Sequence, residues 1–500
     1  MVIALSLSAL ASLAIVTQDA SPLRAAPRDS ATSQAQLTAG DALEVRGQRL
    51  DYLQVWDHRR ERGGFIRASQ VKLTGTTAAD APELLAWLRF VRDTPGQEAL
   101  GAGLAAAWLK AAPAQTPAAD TVEALDALGS MADRVARRAS SSNAAGNAQP
   151  TAGTNTRLTA QLDGMATYGV RWLSLEVAGQ MRICYDGEAF RRVLAQPAAT
   201  PEQRARAALG LTRHDCVDPA TPVSQRDALD RWRADVLDRV TDADMATLPE
   251  LWRQRVFMRR AGVWASVAFG QARRQEAAAL TASAQAGQRA LTALAAVNKN
   301  ELTDDDLIEL NDAAMRVGAS RWAAEPAVAV TTAGNQRLRV LTIPGSQPGE
   351  TCVLLTDASH GPQQPLLRHC TFSVVWPASA SVNTAGTAVS LAVQPLATWR
   401  ELWLMKRTPD GWVLDVLPPA TGNPLGTDIG VVEFAGWVGD GEPRVLVSRE
   451  ARVDGRYNRR FEVSRIATGE IDKQASTPQL LSAFQRWQDA GWKRQTVMLR

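Results

Sequence analysis

The sequence predicts a multidomain α+β protein: a small N-terminal β-barrel, a mainly α-helical middle domain and a β-rich C-terminal domain. Three observations carry that reading. Leu43, Val45, Leu53 and Val55 alternate with polar residues as half-buried strands do, and Gly47 and the Gly63-Gly64 pair supply turn positions. From about residue 80 to 325, apolar residues recur at helical spacing between capping and breaking signals. From about residue 327 the composition turns to Val, Leu, Thr and Trp punctuated by Gly and Pro, as in a series of short strands. A length of 500 residues, 45% of them apolar, suggests two to four domains with real cores.

Residues 1–16 are an apolar run rich in Leu, Ala, Ser and Ile, followed by Thr17-Gln18-Asp19-Ala20. A bilayer span wants about 20 apolar residues, so this shorter run reads as a signal-peptide core, with residues 1–20 removed on export and no permanent membrane span. No Lys or Arg precedes the run, and no Cys lies near the expected cleavage site to carry a lipid anchor. The expected location is periplasmic or secreted.

Residues 21–75 form the first expected domain. Leu23-Arg24-x-x-Pro27, Leu37-x-x-Gly40-Asp41-x-Leu43-Glu44-Val45, Tyr52-x-x-Val55 and Gly64-Phe65-Ile66-x-x-Ser69-x-Val71 follow one another at fixed offsets. This pattern resembles a bacterial SH3-like (SH3b) domain, over roughly a tenth of the chain. The resemblance implies a small binding barrel of a kind that often accompanies cell-wall hydrolases. Tyr52 stands where the family usually has Trp, and the loop 57–62 is unusually charged. A barrel of about fifty residues buries little surface and should lean on the helices that follow. With Leu53 and Val55 facing inward, Tyr52 and Trp56 share the opposite face beside the loop that carries His58. Tyr52, Trp56 and His58 are therefore the expected ligand surface, and docking on the helical domain is the alternative use of the same face.

The helical domain is expected over residues 78–326. Asp80-x-x-Glu83 resembles a capping box ahead of Leu84, Trp87, Leu88 and Val91, which fall on one helical face. Thr94-Pro95-Gly96 stops that helix. A second runs through Leu100, Leu104 and Trp108, and a third through Val122, Leu125, Leu128, Ala132 and Val135. Residues 139–156, rich in Ser, Asn, Gly and Ala, have little to bury and read as a linker or loop. A helix over 156–168 and a hairpin over 172–184, turning at Ala178-Gly179, follow. Thr200 caps a helix with Pro201 in its first position, and residues 224–240 form another. Residues 248–298 read as one long or twice-broken helix with Gly262, Gly270 and Gly287 as weak points. Thr303 and the Asp304-Asp305-Asp306 triplet open a last helix; capping, not metal binding, explains the triplet, because consecutive side chains diverge around a helix.

Ten strands are expected in the β-rich domain, residues 327–475, with one of them running unbroken from 366 to 376. Strands near 372–376, 389–393, 401–405 and 412–417 have counterparts 55 to 60 residues on, resembling incomplete propeller blades; stacked sheets are preferred because a closed propeller needs at least four blades. Residues 476–500 form a C-terminal helix and tail, the tail ending in a short strand at 496–499.

The four Cys fit an oxidising compartment, and of three possible connectivities the local pairs, Cys184 with Cys216 and Cys352 with Cys370, are simplest. The second bridge should contribute on the order of 3 kcal/mol. A zinc set of Cys352, His360, His369 and Cys370 lacks ligand spacing. A His214-Asp215-Cys216 triad fragment is disfavoured because sequence neighbours seldom face one another. No G-x-S-x-G, H-E-x-x-H or P-loop occurs, so no cofactor and no metal is expected. The formal charge of +3 is small and no basic stripe or nucleic-acid motif appears, so nucleic acid is not an expected partner. Most of the 15 Trp read as core. The resulting expectation is an exported non-catalytic binding or scaffolding protein of the bacterial cell envelope, with peptidoglycan or an envelope protein as partner. A cell-envelope hydrolase with paired carboxylates is the alternative, since such pairs need no fixed spacing.

Overall fold

The computed structural model describes residues 13–75, 77–144, 152–177, 180–325, 338–421 and 428–499. It is a mixed α+β protein with an N-terminal antiparallel sheet, a helical middle and a β-rich C-terminal region. The chain divides into two units, Met1–Asp218 with Arg239–Leu248, and Pro219–Asp238 with Pro249–Arg500. The stretch expected as one helical domain is thus shared between them.

The first unit opens with strands β1 (Leu13–Val16), β2 (Ser21–Arg24), β3 (Ser33–Leu37), β4 (Ala42–Arg49), β5 (Tyr52–Asp57), β6 (Arg62–Arg67) and β7 (Val71–Thr74). They form an antiparallel sheet in the order β3-β2-β6-β5-β4-β1-β7. Among the described residues the path is open, with β3 and β7 at its edges, where a closed barrel was expected; closure requires the edge strands to pair.

Strand β1 lies inside the stretch read as a leader. It pairs with β4 and β7, and Ala14, Ile15 and Val16 are all fully buried. Ala14 and Val16 join Leu23, Leu37, Leu43, Leu53, Val55 and Ile66 in the sheet core, whereas Ile15 points into the helical core. Both faces are covered, so the run shows no polar alternation and is indistinguishable by pattern from a leader's apolar core.

Helices α1 (Ala81–Val91), α2 (Glu98–Ala111), α3 (Ala118–Ala144) and α4 (Ala152–Ala166) follow, then the hairpin β8 (Trp172–Val177) and β9 (Gln180–Tyr185), whose turn at 178–179 lies outside the described residues. Next come α5 (Glu188–Leu194), α6 (Pro201–Leu211), α7 (Val223–Asp238), which belongs to the second unit, and α8 (Asp242–Thr247). Val122, Leu125, Leu128, Ala132 and Val135 are buried as their spacing predicts. Residues 139–144 continue α3 where a linker was expected: Ser140 packs at β9, its hydroxyl donating to the Ile183 carbonyl and accepting from the Ile183 amide. Asp80 does not cap α1; its carboxylate accepts from the Thr77 amide and hydroxyl at 2.9 and 2.6 Å. Thr200 does cap α6, in a reciprocal box with Gln203. The sheet leans on these helices at Gly40, where φ is +92° and an added Cβ would lie 2.2 Å from the Ala99 carbonyl oxygen, so glycine is required on both counts.

The second unit adds α9 (Glu250–Ala272), α10 (Ala277–Ala295) and α11 (Asp304–Ser320). The break between α9 and α10 falls at Gln275, φ +59°, not at a glycine. Gly270 and Gly287 are instead close-packing points, against Asp227 and Ala323. Thr303 caps α11 in a box with Asp306, as the acidic triplet implied.

Strands β10 (Arg339–Pro344), β11 (Thr351–Thr356) and β12 (Leu367–Thr371) form one antiparallel sheet. Strands β13 (Val374–Val382), β14 (Ala388–Leu396), β15 (Trp399–Thr408), β16 (Gly411–Leu417), β17 (Ile429–Val438), β18 (Arg444–Val453), β19 (Arg456–Arg465) and β20 (Ile471–Ala475) form a second sheet. The expected strand over 366–376 breaks at Phe372-Ser373 and contributes to both sheets. The two four-strand sets are joined into one sheet by a short parallel pairing, Trp399 with Gly430 and Arg400 with Val431, so they do not stand apart as blades. Residues 490–499, the end of which was expected as a strand, are helical: α12 (Ser482–Trp487) and α13 (Ala490–Leu499) close the chain, with Phe484 and Trp492 packed on Phe461.

Helix α11 is held to the large sheet by a buried ionic cluster. Glu433 Oε1 lies 3.0 Å from Arg400 Nη2 and 3.2 Å from Arg321 Nε, and Glu433 Oε2 accepts from Trp492 Nε1 at 3.1 Å. Arg400 also donates to the Gly318 carbonyl.

Candidate functional site

The three residues expected to form a ligand surface do not share one. Tyr52 is 3% exposed. Its hydroxyl donates to Asp29 Oδ1 at 2.6 Å, and the Arg67 guanidinium lies 5.3 Å from its ring. Hydrogen bonds from Arg67 and then Tyr52 hold the Asp29 carboxyl at about 2. Alternation along β5 cannot anticipate this, because the cover comes from the loop after β2. Trp56 is half-buried between the Arg46 guanidinium, 4.5 Å from its ring, and Gly63, where an added Cβ would approach to 3.2 Å. His58 is exposed, its Nε2 2.6 Å from Glu44 Oε2.

The charged loop folds back onto its own unit. Asp57 is 1% exposed, and Arg60 bridges it to Asp41 at 2.7 and 3.1 Å. Arg59 reaches Asp163 on α4 at 3.4 Å, and the Tyr168 hydroxyl donates to the Gly40 carbonyl.

Both local disulfides are present, Cys184–Cys216 and Cys352–Cys370, the second joining directly opposed residues of β11 and β12. Their sulfurs are therefore committed, as is Asp215, which accepts from Arg213 and Arg182. His360 sits 2.9 Å from Asp357, and His369 packs edge-on against Trp403.

The site with the strongest geometry is a cleft in the second unit, of about 520 Å³. That volume lies in the range of ligand pockets, roughly 300–1,000 Å³. Its walls come from the α9–α10 turn, the residues following α11, the β10–β11 hairpin and the β12–β13 corner. Trp322 presents its ring with Arg321 stacked 4.2 Å behind it. Trp376 is fixed by Nε1 donating to Gln394 Oε1 at 3.1 Å, and Gln394 in turn donates to Ser320. Phe372 and Leu280 stand at the cleft 53% and 50% exposed, adding apolar surface to its rim. Gln275, in the left-handed region, donates to the Thr351 hydroxyl and so ties the helical wall to the β wall.

Strands β10 and β13 end their sheets beside this cleft, and each carries a proline there, Pro344 and Pro377. Proline lacks the amide hydrogen through which an added strand would pair at those positions. Among the described residues, Glu325 is the one carboxylate lining the cleft. Sequence reasoning missed Phe372 because it lies within an uninterrupted strand-like run without Gly or Pro.

Elsewhere a carboxyl held above its ordinary value is that of Asp126 on α3. Burial pushes it up to about 6, outweighing the opposing pull of Arg206, to which it is paired. Folded, this carboxyl keeps its proton to about pH 6; unfolded, it releases it near 4. The folded state therefore binds more protons in that window, and stability falls as pH rises through it, by on the order of 2–3 kcal/mol. Urea unfolding between pH 4 and 7 should show this decline, and Asp126→Asn should flatten it.

No family model, no curated protein and no solved structure matches this chain. Among the described residues no helix is long and apolar enough to cross a membrane.

Proposed function

We propose that this chain is an exported, non-catalytic binding or scaffolding protein of the bacterial cell envelope, whose N-terminal sheet is an SH3b-like module and whose partner is peptidoglycan or an envelope protein. The observation that carries the reading is the 520 Å³ cleft, with aromatic walls, exposed Phe372 and Leu280, and one lining carboxylate. Rigid aromatic walls supply contact area at little entropic cost, which suits retention of a ligand rather than its turnover. The two disulfides suit an oxidising compartment.

A photo-reactive phenylalanine analogue at position 372 is expected to cross-link to an envelope component in cells. Trp322→Ala should weaken retention on purified peptidoglycan, or on the cross-linked protein, by about tenfold or more, equivalent to ~1.4 kcal/mol. Absence of both cross-link and retention overturns the reading. Release of muropeptides by the purified protein overturns its non-catalytic part.

A further inference from the structure

We propose that the face of the β18–β19 hairpin beside Pro419 is a binding site for a phosphate group. The pairing register places Arg449 directly opposite Arg460, Ala451 opposite Asn458 and Val453 opposite Arg456, all on one face. Like charges directly opposed across strands destabilise a sheet unless something neutralises them.

The other face of the same hairpin shows the ordinary solution. There Glu450 stands opposite Arg459 and pairs with it, and Arg452 pairs with Asp312 at 2.9 Å. Each arginine has its own carboxylate. On the Arg449 face the neutralising group is Glu462, fully buried, 2.8 Å from Arg449 Nε and 3.8 Å from Arg460 Nε. Arg449 also donates to the Pro418 carbonyl. Arg449, Arg456 and Arg460 line one cavity together, and of these Arg449 has Glu462 as its close partner, which leaves the lining rich in positive charge.

These side chains line a cavity of about 230 Å³, with Thr421 and Asn458 as further polar donors. Among the described residues no carboxylate lines it. Arginine matches phosphate oxygens through parallel N–H donors, and a phosphate monoester carries about −1.5 to −2 charges at neutral pH, opposite in sign to the lining.

The test uses the full chain, titrated with inorganic phosphate at low ionic strength and, separately, sedimented with vesicles of phosphatidylcholine containing or lacking phosphatidic acid. Arg456→Gln with Arg460→Gln leaves the Arg449–Glu462 pair intact, so the fold is retained. Binding to either probe that falls at least tenfold in this double variant, and stays unchanged in Arg486→Gln, supports the site. Response to free phosphate identifies a soluble source; response to vesicles alone identifies a lipid headgroup. Binding to neither probe, or binding equal in the double variant, overturns the proposal.

Discussion

A chain that begins at Ser21 is expected to be markedly less stable than one that retains residues 1–20, because strand β1 is then missing from the interior of the N-terminal sheet. Truncating the fully buried Ile15 side chain alone should cost about 2–5 kcal/mol. Losing the strand also removes Ala14 and Val16 from the sheet core and strips the ladder partners of β4 and β7. Against a total domain stability of about 5–15 kcal/mol, that loss threatens the unit as a whole. Denaturant unfolding of the two forms, with amide exchange read in β4 and β7, checks this. Equal midpoints and equal protection would show that β1 contributes nothing. Ile15→Ala gives the graded version, and mass spectrometry of the protein from its native host would show whether residues 1–20 are retained.

Glu433→Ala is expected to destabilise the second unit by about 3–5 kcal/mol, because it leaves the guanidinium groups of Arg400 and Arg321 buried without the carboxylate that bridges them. The loss also frees Trp492 Nε1 and loosens the seat of α11 on β15 and β17. Replacing all three charges together, Arg321→Met, Arg400→Met and Glu433→Leu, should recover most of the stability, since desolvation opposes buried ion pairs even when their geometry is good. Calorimetry on both variants distinguishes the cases. A triple variant as unstable as Glu433→Ala would mean that packing, not charge, sets the cost.

The N-terminal sheet illustrates how far pattern reaches. Leu43, Leu53, Val55 and Ile66 fall in its core as their alternation requires. Tyr52, on the other side of the same alternation, is buried as well, because Asp29 reaches it from a loop whose path no local pattern encodes. The cleft is a sharper case. Phe372 looked like a strand residue, and only the departure of β13 into a second sheet turns it into a wall. The anion site depends on register: Arg449 and Arg460 are eleven positions apart in sequence and become neighbours only when β18 and β19 pair.

By itself the sequence determined the α+β class, nearly all the C-terminal strands, the helix starts at Thr200 and Thr303 and the simplest disulfide pairs, most of which rest on interactions between residues near in the chain. Tertiary structure alone decided that residues 13–16 form an interior strand, that the helices divide between two units, that Gln275 rather than a glycine breaks the α9–α10 pair, and where a cleft opens. Periodicity records which face of an element is apolar, but the identity of what covers that face is set by contacts between residues far apart in the chain.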